Sequence, residues 1–296
     1  MKKDSIYLTK NDVKALEPLR IAAGSEGTIY RIQKGVLYKI YHSYSDELLL
    51  KISPIYDENG VNIANYKIRK QIVRKDNILR YVDQDGIRLT REEALYKAIE
   101  RQKDIHKTFL PKNVIYVNGR VKGCVLHEHS HALKIYKIES FPLRYRLCIL
   151  KELLSREREL IEHNIYHVDL AQRPSIEFPN TNVLFQFPNT PQIIDLDGHS
   201  AIYTEFFSDK ALKRTEESFV LLVMEILTRM NLETYLNNMD ISGLFSPNEL
   251  ENIMIENISY ASKNQLDSEM IRSFLRHELS LDKIEFYLNQ LSRKKL

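Results

Sequence analysis

The stretch from His167 to Gly198, HVDLAQRPSIEFPNTNVLFQFPNTPQIIDLDG, constrains this chain more than any other. Asn182 opens one apolar run, Asn182-Val183-Leu184-Phe185, and Asp195 closes another, Ile193-Ile194-Asp195, with Pro and Asn between them. That pattern reads as a hairpin, and its ends bring Asn182 and Asp195 close together. Carboxylate and amide oxygens are ligands that Mg²⁺ prefers, usually beside substrate phosphates. Asp169, two residues after His167, falls on the preceding loop, where a carboxylate can serve as base for an incoming hydroxyl.

A second polar constellation lies near the start of the chain. The segment Ile21-Ala22-Ala23-Gly24-Ser25-Glu26-Gly27-Thr28-Ile29-Tyr30 sits between two strand-like runs. Gly24 and Gly27, two of only nine glycines, let a backbone turn and approach a phosphate with no Cβ in the way. Gly35 then turns a hairpin, and alternation along Val36-Leu37-Tyr38-Lys39-Ile40-Tyr41 puts Leu37, Lys39 and Tyr41 on one face. A lysine on a sheet face is costly to bury unless it meets an anion.

Together these stretches resemble the protein-kinase superfamily, in a divergent, bacterial-type Ser/Thr form. His167-Val168-Asp169-Leu170 with Asn182 is similar to that family's H-R-D-L-x-x-x-N, and Asp195-Leu196-Asp197 to its D-F-G. Ala22, Gly24 and Gly27 stand at the glycines of G-x-G-x-x-G, and Val36 to Lys39 at V-A-I-K. Two departures stand out: Asp169 and Asn182 lie thirteen positions apart, longer than the family pattern, and Asp197 replaces the glycine of D-F-G. The resemblance implies an α+β, two-lobed protein-kinase-like fold, with a small β-rich N-lobe over residues 1–126 and a larger helical C-lobe over 127–296. The N-lobe would carry an insertion at about 43–90.

The same resemblance implies an ATP-dependent phosphotransferase using Mg²⁺, foremost a protein Ser/Thr kinase. Lys39 would hold the α/β phosphates, paired with a helix glutamate: Glu100 first, Glu93 second. Gly24 and Gly27 would cover the nucleotide, and Leu126 and His127 would meet its base at the hinge. Asn182 and Asp195 would bind Mg²⁺. Asp169 would take the acceptor proton, and Arg173 would supply charge at the γ-phosphate, where the family often has a lysine at the position of Ala171. The acceptor is a protein or a small molecule. A pseudokinase that binds nucleotide or acts as a scaffold is the alternative. No A-P-E motif follows Asp195, and the segment from Gly198 to Arg214 is short for docking a protein substrate.

Elsewhere the residues bound the class of protein. A length of 296 residues suits one two-lobed unit, and 43% hydrophobic residues suffice for a sizeable core. A net charge of +3 is too slight a basic excess to argue for nucleic acid. Cys124 and Cys148 form no disulfide framework or zinc spacing, which fits a reducing cytoplasm. The N-terminus has no signal-peptide core, and the longest apolar run, Phe219 to Leu227, is too short to span a bilayer.

The spacing also places local elements. Ile78 to Leu89 reads as a hairpin around Asp85-Gly86, and Val114 to Leu126 as one around Asn118-Gly119. A capping box at Thr90 and Glu93 starts a helix running to about His106. Phe141 to Tyr166 and Glu217 to Thr228 read as helices, and Ser246-Pro247 starts another. His127, His129 and His131 alternate without a fourth ligand at metal spacing, so they read as polar linker histidines.

Overall fold

The computed structural model describes residues 5–24, 27–42, 72–75, 78–83, 86–88, 91–171, 181–197, 200–239, 246–263 and 265–293. The architecture is mixed α+β: a β-rich N-terminal sheet precedes a helical C-terminal region, as expected. The chain divides into two compact units. One comprises residues 1–130, 159–167 and 195–210; the other comprises 131–158, 168–194 and 211–296.

The first unit is built on a six-stranded sheet. In chain order its strands are β1 (Ser5–Leu8), β2 (Arg20–Ala23), β3 (Gly27–Gln33), β4 (Val36–Tyr41), β8 (Asn113–Val117) and β9 (Arg120–His127). Their spatial order is β1-β8-β9-β4-β3-β2. All neighbours are antiparallel except β1 and β8, which run parallel. Four-residue β1 has no period long enough to be recognised in isolation. Short helix α1 (Lys10–Ala15) follows it, opened by a capping box between Thr9 and Asp12.

The tight turns fall where glycine and asparagine predict them. Gly35 adopts φ +84° between β3 and β4, and Asn118-Gly119 adopts φ +50° and +78° between β8 and β9. Within the expected insertion, β5 (Ile72–Lys75), β6 (Ile78–Asp83) and β7 (Gly86–Arg88) form a separate antiparallel sheet. β6 and β7 pair as the expected hairpin requires, while its turn residue Asp85 and most of the rest of the insertion lie outside the described residues.

A longer helix packs on the large sheet. Helix α2 (Arg91–Arg101) buries Leu95 in a cluster with Tyr41, Val114, Val121 and Cys124. It ends five residues before the expected His106. The side chain of Gln102 takes over there: its Nε2 donates to the carbonyls of Ile105 and Thr108, and its Oε1 accepts from Leu110 N. These bonds favour a compact loop over continued helix. A short pair, β11 (Ile165–His167) and β14 (Ala201–Tyr203), completes the unit. Arg101 donates to the carbonyls of Asn164 and Thr204 beside it.

The second unit is mainly helical. Helix α3 (Leu143–Glu162) ends before the predicted Tyr166, because Asn164 turns to φ +55° and Ile165-Tyr166 enter β11. Helix α4 (Asp209–Thr228) is almost wholly buried from Phe219 onward. Arg146 of α3, itself 2% exposed, donates to the carbonyls of Ile226 and Leu227. It thus satisfies two carbonyls that the end of α4 leaves unpaired.

Helices α5 (Leu232–Met239), α6 (Pro247–Ala261), α7 (Ser268–Leu275) and α8 (Leu281–Arg293) follow; α6 starts at the expected Ser246 N-cap, where Ser246 and Glu249 form a capping box. The hairpin of β12 (Val183–Gln186) and β13 (Thr190–Ile193) forms as read, with β10 (Leu133–Lys134) on its other edge.

Candidate active site

Of the expected site residues, Lys39 and Asp195 meet in the first unit, and Asp169 and Asn182 meet in the second. In the first unit, strand β4 directs Lys39 inward, and its Nζ meets Asp195 Oδ1 at 2.6 Å and Asp197 Oδ2 at 2.9 Å. Lys39 is 7% exposed and Asp197 1%. Asp195 also accepts from Ser200 Oγ at 2.6 Å. Its backbone sits at φ +63°, a left-handed conformation that Asp tolerates better than most residues.

Burial by itself would raise the Asp195 carboxyl. The adjacent Lys39 charge and hydrogen bonds from Lys39 and Ser200 outweigh burial, helped by His167, and hold it well below the usual carboxylate range. Tyr203 donates to the Leu196 carbonyl at 2.6 Å. Burial first, then the nearby Asp197 charge, pushes its phenol well above its ordinary value.

Glu100 is not brought to Lys39. It stands on an exposed side of α2 and pairs with Lys97 at 3.4 Å, so the first choice of helix partner is corrected. Glu93, the second choice, is half-buried on the same helix. One residue the sequence reading missed is Asp197. The signal was present, since a second acid where the resembling pattern has glycine is an anomaly that a buried lysine explains.

Gly24 and Gly27 bracket the turn between β2 and β3, with Gly24 N donating to the Gly27 carbonyl at 2.9 Å. A Cβ on Gly27 would lie 2.6 Å from the Ile40 carbonyl oxygen, so close approach of β4 requires glycine there. Gly24 has nothing within 4 Å of its missing Cβ.

Leu126 and His127 end β9, in register with Leu37 and Val36. The His127 ring stacks on Phe109 with centroids 4.2 Å apart, and His129 stands edge-on to it. Burial, then the Lys112 charge, lowers the His127 pKa. Among the described residues no group of three or more His, Cys, Asp and Glu is placed to hold a metal ion.

In the second unit, Asn182 is 6% exposed and donates through Nδ2 to both the backbone carbonyl of Asp169 at 2.7 Å and its Oδ2 at 3.1 Å. The amide thereby fixes loop and carboxylate together and leaves its own Oδ1 as an oxygen ligand of the kind Mg²⁺ takes. Ile194 N donates to the Asn182 carbonyl, so the hairpin register holds Asn182 from the other side.

Helix α4 supports the loop from beneath. Ser218 Oγ accepts from Leu170 N at 2.6 Å and Ala171 N at 3.3 Å. Tyr136 Oη bonds both the Ala171 carbonyl and Glu225 Oε2, and Glu225 Oε1 accepts from Leu232 N. Ser218 escaped the sequence reading because a serine inside a helix carries no mark of such a role.

A cavity of about 1020 Å³ opens beside Asp169, with Ala171, Arg214, Glu217 and Ser218 among its lining. Its volume is at the upper end of the range for sites that hold small molecules. Arg173, the expected γ-phosphate cation, lies outside the described residues.

No protein-family model matches the chain, and no curated protein matches it. Among solved structures the chain is similar to a pseudokinase in its apo form, at 10% sequence identity and a TM-score of 0.48. The likeness covers 99% of this chain and 96% of that one. Among the described residues no helix is long and apolar enough to cross a membrane.

Proposed function

We propose that the chain is an ATP-dependent phosphotransferase of protein-kinase-like fold, using Mg²⁺ and acting on a serine or threonine hydroxyl. The observation that carries this reading is the double hydrogen bond from Asn182 to Asp169. It presents a carboxylate at fixed orientation, as a general base requires. MgATP supplies the phosphoryl group and a cation that neutralises its charge. Lys39 supplies the positive charge for the phosphates, and Asp195 and Asn182 supply the oxygens for the metal. Asp169 accepts the proton of the acceptor hydroxyl.

The small-molecule acceptor stays in view because of the cavity beside Asp169. A nucleotide-binding protein without turnover is the second reading, favoured by the two carboxylates that already occupy Lys39. Purified protein incubated with labelled ATP and Mg²⁺ distinguishes these readings. The arms are protein alone, protein with a generic Ser/Thr-rich acceptor, and protein with small hydroxyl compounds, each beside an Asp169→Asn control. Label transfer lost in the control supports the enzyme. Binding of MgATP without transfer in any arm supports the second reading.

A further inference from the structure

We infer that Asp197 is the lasting acidic partner of Lys39, a positioning residue that keeps the ammonium in place when Asp195 turns to a cation. This rests on the reading of Lys39 as a phosphate-holding residue. The two acids around Lys39 are not equivalent. Asp195 has a second donor, Ser200 Oγ at 2.6 Å, which does not depend on Lys39.

Asp197 has no such reserve. Its side chain is fully buried, and among the described residues neither of its oxygens has a hydrogen-bond partner; its charge faces the Lys39 ammonium at 2.9 Å. The Tyr203 hydroxyl, which feels the Asp197 charge, is committed to the Leu196 carbonyl. Without Lys39, Asp197 is a buried anion with no ion-pair partner among the described residues, which is among the costlier arrangements in a folded protein.

The converse also holds. One lysine between two carboxylates leaves an excess negative charge, and that excess favours a divalent cation nearby. When such a cation draws Asp195 away, Asp197 still balances Lys39. It does so from the turn that carries Asp195, where the sequence reading expected a carboxylate on helix α2. Glu100, on the exposed side of α2, takes no part.

Two measurements on the full chain test this. The first is thermal and needs no ligand. Lys39→Met should lower the melting temperature by about 5 °C or more, because it strands Asp197. Adding Asp197→Asn to Lys39→Met should recover most of that loss, whereas adding Asp195→Asn should recover less. Equal melting of Lys39→Met and Lys39→Met/Asp197→Asn overturns the inference, and so does greater recovery from Asp195→Asn.

The second measurement is titration with MgATP. Asp197→Asn should weaken binding about tenfold, Glu100→Ala should leave it within about twofold, and Lys39→Met/Asp197→Asn should bind no worse than Lys39→Met. A merely structural Asp197 would lower the melting temperature and leave the dissociation constant unchanged, which overturns the positioning role. If the wild type binds no MgATP, the nucleotide reading fails, and the thermal comparison still decides the pairing of Lys39 with Asp197.

Discussion

Asn182 holds Asp169 by two atoms at once, its Nδ2 lying 2.7 Å from the backbone carbonyl and 3.1 Å from Oδ2. A side chain that grips both the loop and the carboxylate on it sets direction as well as distance. Asp169→Asn should therefore leave MgATP binding intact while lowering turnover by about 10²- to 10⁴-fold, the usual contribution of a general base. Asn182→Ala should lower turnover and also raise the Mg²⁺ concentration needed for half-maximal rate, since it removes a metal-type oxygen as well. Steady-state rates at several Mg²⁺ concentrations check both; equal turnover in wild type and Asp169→Asn would falsify the assignment.

Ser218 accepts the backbone N–H groups of Leu170 and Ala171 from within α4. Ser218→Ala leaves both donors without that acceptor, at a cost of about 1–3 kcal/mol. Denaturant unfolding should show this loss. Because the loop next to Asp169 is what loosens, the turnover number should fall with little change in the KM for ATP. A variant that loses stability and keeps full turnover would show that Ser218 supports the fold alone.

Nucleotide binding is checked by melting. A ligand that binds only the folded state adds about 2.7 kcal/mol at a hundredfold excess over its dissociation constant. Saturating MgATP should raise the melting temperature of the wild type, and Lys39→Ala and Asp195→Ala should each shrink the shift. An unchanged melting curve counts against the whole nucleotide reading.

What the sequence made legible here is what is local. The β12–β13 hairpin, the Gly35 and Asn118-Gly119 turns and the Ser246 N-cap each follow from residues within a few positions of one another. Contacts across long separations were legible only where an anomaly flagged them. Lys39 in a sheet demanded an anion, but the choice among Glu100, Glu93 and the Asp195 turn depended on how α2 is rotated, and that rotation sends Glu100 to solvent. The Tyr136–Glu225 and Arg146–Ile226 bonds join residues some eighty to ninety positions apart, with no pattern in either partner's neighbourhood to announce them. Helix ends were overrun at Gln102 and Asn164, where a single side chain or a left-handed residue stops a run whose periodicity continues.

Acid should act through Asp195. Its carboxyl is held below the usual range in the folded chain, so the unfolded chain binds its proton first as pH falls. The associated stability is fully present above the ordinary aspartate pKa of about 3.9 and is lost as pH drops toward the folded value. Urea midpoints measured from pH 6 down to pH 2.5 should show Asp195→Asn less stable than wild type at the upper end, with the gap narrowing below about pH 4. A gap that stays constant across this range would show that the charge of Asp195 is not what stabilises the turn.

Control by phosphorylation of the segment after Asp195 is disfavoured by burial. Ser200 is 4% exposed and donates to Asp195, Tyr203 is 1% exposed and donates to the Leu196 carbonyl, and Thr204 is 6% exposed and donates to the Phe206 carbonyl. Each hydroxyl is committed inward, and a phosphate of about −1.5 to −2 charge orders a loop only where cations await it. Val168 stands where many resembling kinases place an arginine before the catalytic aspartate, so that cation is absent from the loop. The proposed phosphotransferase activity should therefore run at full rate without loop phosphorylation. Rates before and after phosphatase treatment should agree within about twofold, and Tyr203→Phe, Thr204→Ala and Ser208→Ala should each respond to phosphatase as the wild type does. A large loss of activity on dephosphorylation, reproduced by one of these substitutions in protein that still melts cooperatively, would mean that the segment opens to a kinase and that its buried hydroxyls are a resting arrangement.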